Sequence, residues 1–228
     1  MLGKSIAVTR GFNLPALAVD RRLKPRFAVP QEDMKLVFGD HFIKALAAAY
    51  IKRTLSCHAV KRIIIATDHE DVAEFAEYAA RFDVPLSIQS FHPAGYEALA
   101  YQMMYEHGRA VSTSLFNPRS WSKGDLVVIF DTQDRLVTIS SRDVFALKLS
   151  NLSHNLSPLL ENHLQNHGLE ARLHNLAPIM ELCLWMLAAR ANPRADASKA
   201  EDGLPVFLQL EKSATLLGLW ELFLDKAI

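Results

Sequence analysis

Apolar residues change their period along the chain, and the changes mark the elements. A short run at 4–9 (KSIAVT) reads as a strand, and Pro15, Pro25 and Pro30 keep 12–30 irregular. From Gln31 onward Met34, Val37, Phe38, Phe42, Ala45 and Leu46 recur at helical spacing. This predicts a helix over 31–54, with Glu32 and Asp33 in its first turn and Lys52 and Arg53 in its last. The β-branched run KRIIIAT at 61–67 predicts a buried strand. A helix over 70–82 follows, with Val72, Phe75, Ala76 and Ala79 inward, then a strand at 84–90. Next come a helix at 94–107, stopped by Gly108, and a third strand at 110–114. Apolar runs at 126–130 and 136–140 flank the polar turn Asp131-Thr132-Gln133-Asp134, which predicts a hairpin, with a helix starting near Arg142.

Strands alternating with helices predict an α/β fold, a mostly parallel sheet layered with helices. After Asn151 the strand pattern stops. Helices are predicted at 159–164, 169–189 and 206–225, with a loop at 192–205. The chain is therefore read as an α/β module at 1–151 followed by an all-helical part at 152–228. The last helix is apolar on more than one stripe, from Val206, Phe207 and Leu208 to Trp220, Phe223 and Leu224. Either its own chain buries it, or it faces a protein partner. A homodimer or hetero-complex through 206–224, with Trp220 as anchor, is the expectation on the second count.

Composition narrows the classes. Half of the 228 residues are hydrophobic and basic and acidic residues balance at 25 each, so the totals favour a globular domain without nucleic acid or an anionic membrane as partner. The one basic cluster, Arg21, Arg22, Lys24 and Arg26, reads as a solvated loop. Cys57 and Cys183 lie in apolar stretches without CxxC spacing and read as buried thiols. No signal-peptide pattern and no apolar run of membrane-spanning length is seen, so the expected location is cytoplasmic.

Nucleotide and protease signatures are missing: there is no G-x-G-x-x-G, no G-x-x-x-x-G-K-[ST], no G-x-S-x-G and no H-E-x-x-H. His163 and His167 are four apart, but Gly168 ends their helix, so no metal site and no cofactor are expected.

Three strand ends carry the candidate chemistry: Val8-Thr9-Arg10-Gly11, Ala66-Thr67-Asp68-His69-Glu70 and Ser112-Thr113-Ser114-Leu115-Phe116-Asn117-Pro118. In this order they resemble the first domain of the α-D-phosphohexomutases. Arg10-Gly11 matches that family's first turn, and Asp68 its acidic second turn. Thr113, Asn117 and Pro118 match its third loop. Glu70 stands where the family has Arg, Leu115 where it has its phosphorylated Ser, and Phe116 where it has His. The resemblance covers roughly 5–150 and omits the family's metal loop, which Asp131–Arg135 echoes only superficially. It implies a related fold in which the mutase reaction is lost, since Leu115 has no nucleophile. What it leaves is a pocket for a small anionic, sugar-phosphate-like ligand, lined by Arg10, Asp68, Ser112, Thr113, Ser114 and Asn117. The rival reading is a small enzyme, isomerase- or mutase-like, acting on a phosphorylated sugar.

Overall fold

A computed structural model describes residues 16–26, 35–68, 72–130, 144–149, 158–168, 172–191 and 204–224. The chain forms two compact units, each made from two stretches: Met1–Ala45 with Pro158–Leu219, and Leu46–Ser157 with Trp220–Ile228. A single cut at Asn151 does not coincide with this division, because 1–45 group with the later helices rather than with the sheet.

The first unit holds two short parallel strands, β1 (Ala16–Ala18) and β2 (Lys35–Val37), with a 3-10 turn at Arg21–Arg26 between them. Helices α4 (Pro158–Asn166), α5 (Leu173–Ala191) and α6 (Val206–Leu216) complete it. Helix α1 (Asp40–Cys57) starts in this unit and continues into the other. The helix expected over 31–54 therefore begins late. Apolar Val37 lies on β2, and Gly39 at φ +81° breaks the helical path before Asp40. Only glycine suits that turn: a Cβ there would stand 2.6 Å from the backbone of Ala177 and Pro178 on α5. The first-turn acid is Asp40, while Glu32 and Asp33 lie outside the described residues.

The second unit is built on a five-stranded, all-parallel sheet of order β5-β4-β3-β6-β7. Its strands are β3 (Arg62–Ala66), β4 (Leu86–Ser90), β5 (Val111–Leu115), β6 (Asp125–Ile129) and β7 (Phe145–Lys148). Helices α2 (Ala73–Ala79), α3 (Glu97–His107) and α7 (Glu221–Leu224) belong to it as well. The strands at the middle are buried on both faces: Ile63, Ile64, Ile65 and Ala66 are fully enclosed, as are Leu126, Val127 and Val128. That is the signature of a parallel sheet covered on both sides, and it explains the unbroken β-branched run. On one face Trp121 packs with Ile64, Ala66, Val127 and Ile129. No helix joins β5 to β6. A strap with a 3-10 turn (Pro118–Ser120) leads into Trp121 instead, tied to the sheet by buried Gln89, whose Oε1 accepts the Trp121 indole N–H at 2.9 Å.

The α/β class and the helix-only C-terminal part stand: among the described residues no strand follows β7. The hairpin does not. β6 has both edges filled, by β3 and by β7 in parallel, so neither is left for a returning strand. The stretch 131–143 lies outside the described residues. The helix expected near Arg142 is replaced by β7. Its four residues, FALK, are too few to separate period 2 from period 3.6, and Ala, Leu and Lys favour helices.

Both cysteines are exposed, not buried. Cys57 is the last residue of α1, and Cys183 shares the α5 stripe of exposed Ile179, Met186 and Leu187. Most apolar residues of 206–224 are satisfied within the chain: Phe207, Trp220, Phe223 and Leu224 are buried, and Leu216 and Leu217 are left exposed. No helix of the described residues is long and apolar enough to cross a membrane.

Candidate functional site

The winding sets the place to look. From β3 the chain moves outward through β4 to β5, then crosses to the other side of β3 for β6 and β7. The direction reverses between β3 and β6, and open α/β sheets bind ligands outside the carboxyl ends of such strands. Asp68, two residues past β3, stands at that edge and is half-buried.

Asp68 is fixed through one oxygen. Its Oδ1 accepts from the Ser90 hydroxyl at 2.8 Å and from the Phe91 backbone N–H at 2.9 Å, at the end of β4. Ser90 Oγ in turn accepts the His92 backbone N–H at 2.9 Å. Ser90 is buried and His92 exposed. Oδ2 of Asp68 has no partner among the described residues. The carboxylate is thus oriented by the fold and keeps one oxygen for a donor from outside, which suits a hydroxyl.

The other expected residues do not form one loop. Ser112, Thr113 and Ser114 lie within β5, an edge strand, where side chains alternate between faces. Ser112 and Ser114 are exposed, and Thr113 is half-buried on the opposite face. Leu115 pairs in register with Ser90 and is exposed, so it shares the carboxyl edge with Asp68 across β4. Asn117 turns to local work: its Oδ1 accepts the Arg119 N–H at 3.2 Å and holds the strap. Arg10, His69 and Glu70 lie outside the described residues.

Pattern reading missed a charged centre in the first unit. Glu181 is buried within α5, and its Oε2 accepts the backbone N–H groups of His41 at 2.9 Å and Phe42 at 3.1 Å. It therefore caps the N-terminus of α1 from another helix, where the helix dipole favours a carboxylate. The close approach of Gly39 to Ala177 and Pro178, one turn earlier on α5, sets the distance for this cap. Burial pushes the Glu181 carboxyl up to about 7, a rise opposed by the Phe42 N–H bond and helped by Asp40. His41 is pushed down to about 4, first by burial and then by Lys44. Arg21 Nη1 and Lys24 Nζ each lie 2.7 Å from an Asp40 oxygen, and Lys35 Nζ sits 3.9 Å above the Trp185 ring. A carboxyl that titrates near neutrality has the property acid–base catalysis needs. Here it is enclosed and committed to two backbone donors, so its effect falls on the fold. The signal in the sequence is a lone acid inside the apolar run LAPIMELCLWML.

His163 and His167 do come together, with ring centroids 4.8 Å apart, but both are exposed and no third ligand joins them among the described residues. Among the described residues no group of three or more His, Cys, Asp or Glu could hold a metal ion. No protein-family model matches the chain, and no curated protein matches it.

Proposed function

We propose that this chain is a phosphohexomutase-like module without mutase turnover, which binds a small anionic, sugar-phosphate-like ligand at the carboxyl edge of its sheet. One observation carries the reading. Asp68 stands beside the reversal of strand order with Oδ1 held by Ser90 and Phe91 and Oδ2 left without a partner among the described residues. An oriented carboxylate oxygen accepts a sugar hydroxyl well, and in a partly desolvated crevice it does so more strongly than in water. The exposed hydroxyls of Ser112 and Ser114 and the charge of Arg10 are assigned to the anionic end. Leu115, at the position of the family's phosphoryl carrier, has no nucleophilic atom, so phosphoryl transfer through it is ruled out chemically.

A second reading, a small enzyme acting on a phosphorylated sugar, is favoured by His92. This exposed imidazole shares the edge with Asp68, and its backbone is tied to the same Ser90 hydroxyl. A thermal-shift series with hexose phosphates, free hexoses, inorganic phosphate and Mg²⁺ tests the proposal, because a ligand that binds only the folded state must raise its stability. A rise with hexose phosphates alone supports it. A flat response to all of them refutes it, and turnover of the bound sugar phosphate favours the enzyme.

A further inference from the structure

Helix α3 leads from β4 toward β5 and packs against β5. Among its described side chains Met103 alone is buried, with Leu99 and Ala100 half-buried beside it. The opposite face carries Ala98, Tyr101, Tyr105 and, at the end of the helix, Gly108. They are spaced three, four and three residues apart, and all four are exposed. That spacing is the seam of a helix that packs on another helix. Tyr101 is 62% exposed and Tyr105 84%, and Met104 on the flank is 48% exposed. All of these residues belong to the unit that carries the sheet. At about 200 Å² for a whole side chain, Tyr101, Met104 and Tyr105 together expose roughly 400 Å². Apolar patches of that scale are often functional, and tyrosine and methionine are residues that interfaces favour.

The order of residues on this face says what covers it. The row is symmetric about Met103: Tyr101 and Tyr105 lie two residues to either side of it, Ala98 and Gly108 five, and Glu97 and Arg109 six. In an antiparallel pair of such helices about a two-fold axis, each residue meets the one at the mirrored position. Tyr101 then meets Tyr105 of the other copy, twice over. Ala98 meets Gly108, so no long side chain props the backbones apart at either end. Glu97 meets Arg109, so opposite charges face each other at both ends. A parallel pair would instead set Glu97 on Glu97 and Arg109 on Arg109. Arg109 Nη1 already lies 2.7 Å from Asp83, whose side chain is almost wholly exposed. A guanidinium has five N–H donors, so one such contact leaves donors for a second carboxylate.

We propose that the outer face of α3 is a self-docking surface, on which a second copy of this chain packs antiparallel about a two-fold axis, tyrosine on tyrosine and Glu97 on Arg109. The tyrosines and methionines of two copies supply roughly 800 Å², and the polar rim of Glu97, Gln102 and Arg109 brings the buried total to about 1,000 Å². That is the lower bound for specific association, so the dimer is weak and reversible, with a dissociation constant on the order of 100 µM. The surface is separate from the Asp68 edge, and neither reading depends on the other.

The test is sedimentation velocity of the full chain from about 5 µM to about 1 mM, where a monomer–dimer equilibrium on that scale is resolved. The double variant Y101S/Y105S should weaken the dimer by at least about tenfold. Both tyrosines are exposed, so it should keep the wild-type melting curve. Glu97→Arg sets arginine on arginine at both ends and should weaken the dimer by about threefold or more. The further change in E97R/R109E restores opposite charges and should recover most of that loss. L216S/L217S, on exposed leucines outside this face, serves as the control and should leave the equilibrium unchanged. A chain that stays monomeric up to about 1 mM leaves the face to some other partner and overturns the proposal. So does a dimer that survives Y101S/Y105S or is lost in L216S/L217S. Failure of E97R/R109E to recover the loss overturns the antiparallel arrangement.

Discussion

Glu181 and His41 should make opposite contributions to the pH dependence of stability. Glu181 has its folded value raised to about 7 from 4.5, with burial as the main cause. A raised value means that the folded state holds the proton more tightly than the unfolded chain. The associated stability is fully present below about pH 4.5 and is lost as pH rises through about 7. At about 1.4 kcal/mol per pH unit, that interval amounts to roughly 3 kcal/mol. His41 has its folded value lowered to about 4 from 6.5. Its stability is present above about pH 6.5 and is lost as pH falls toward about 4. The histidine keeps part of its surface in solvent, so its share is smaller. Between about pH 4.5 and 6.5 the two slopes oppose each other and largely cancel. Urea unfolding across this range, followed by far-UV circular dichroism, separates them. In E181Q the falling limb should vanish, so stability rises with pH; in H41N stability should fall with pH up to about 7. Slopes decide the matter, because each substitution also shifts the overall level. Parallel curves for wild type and E181Q would refute the reading of Glu181 as a carboxyl raised by burial.

Three further outcomes follow from named contacts. Gly39→Ala should cost at least about 3 kcal/mol in urea unfolding, because the new Cβ meets the Ala177 and Pro178 backbone at 2.6 Å and the φ of +81° is hostile to it. Gln89→Leu should cost about 1–3 kcal/mol and shift the Trp121 emission, since it strips the buried indole N–H of its 2.9 Å acceptor. The purified protein should not interconvert hexose 1- and 6-phosphates with or without Mg²⁺, as Leu115 offers no phosphoryl carrier; steady turnover in a clean preparation would contradict this.

The sequence made some elements legible and hid others for physical reasons. β3 is readable because a strand at the middle of a parallel sheet demands apolar, β-branched residues on both faces, and Ile63–Ile65 supply them. β7 was not, because an edge strand of four residues carries too little pattern. β2 was absorbed into a helix because Val37 and Phe38 happen to continue the helical spacing of Phe42 and Ala45. The break lies in the φ of Gly39, which a hydrophobic pattern does not report. Asp68 is legible as a candidate because strand ends are where such sheets bind ligands. Ser112–Ser114 lie on the strand expected at 110–114, which runs one residue further, to Leu115. The role of Glu181 rests on partners at positions 41 and 42, far away in sequence, and no local window contains that pairing.

The most direct test of the proposed ligand site is a calorimetric titration of wild type and Asp68→Asn with the hexose phosphate that gives the largest thermal shift. Asparagine keeps an oxygen to accept from Ser90 and Phe91, so the fold at the end of β4 should survive. It replaces the remaining carboxylate oxygen by an amide donor, and a charge-assisted hydroxyl contact is lost. The expected result is saturable binding to wild type and affinity reduced by about tenfold or more in the variant, equivalent to about 1.4 kcal/mol or more, with the melting temperature of the free protein little changed. Equal affinity in the two proteins, or no binding of any hexose phosphate to wild type, would contradict a ligand site at the carboxyl edge.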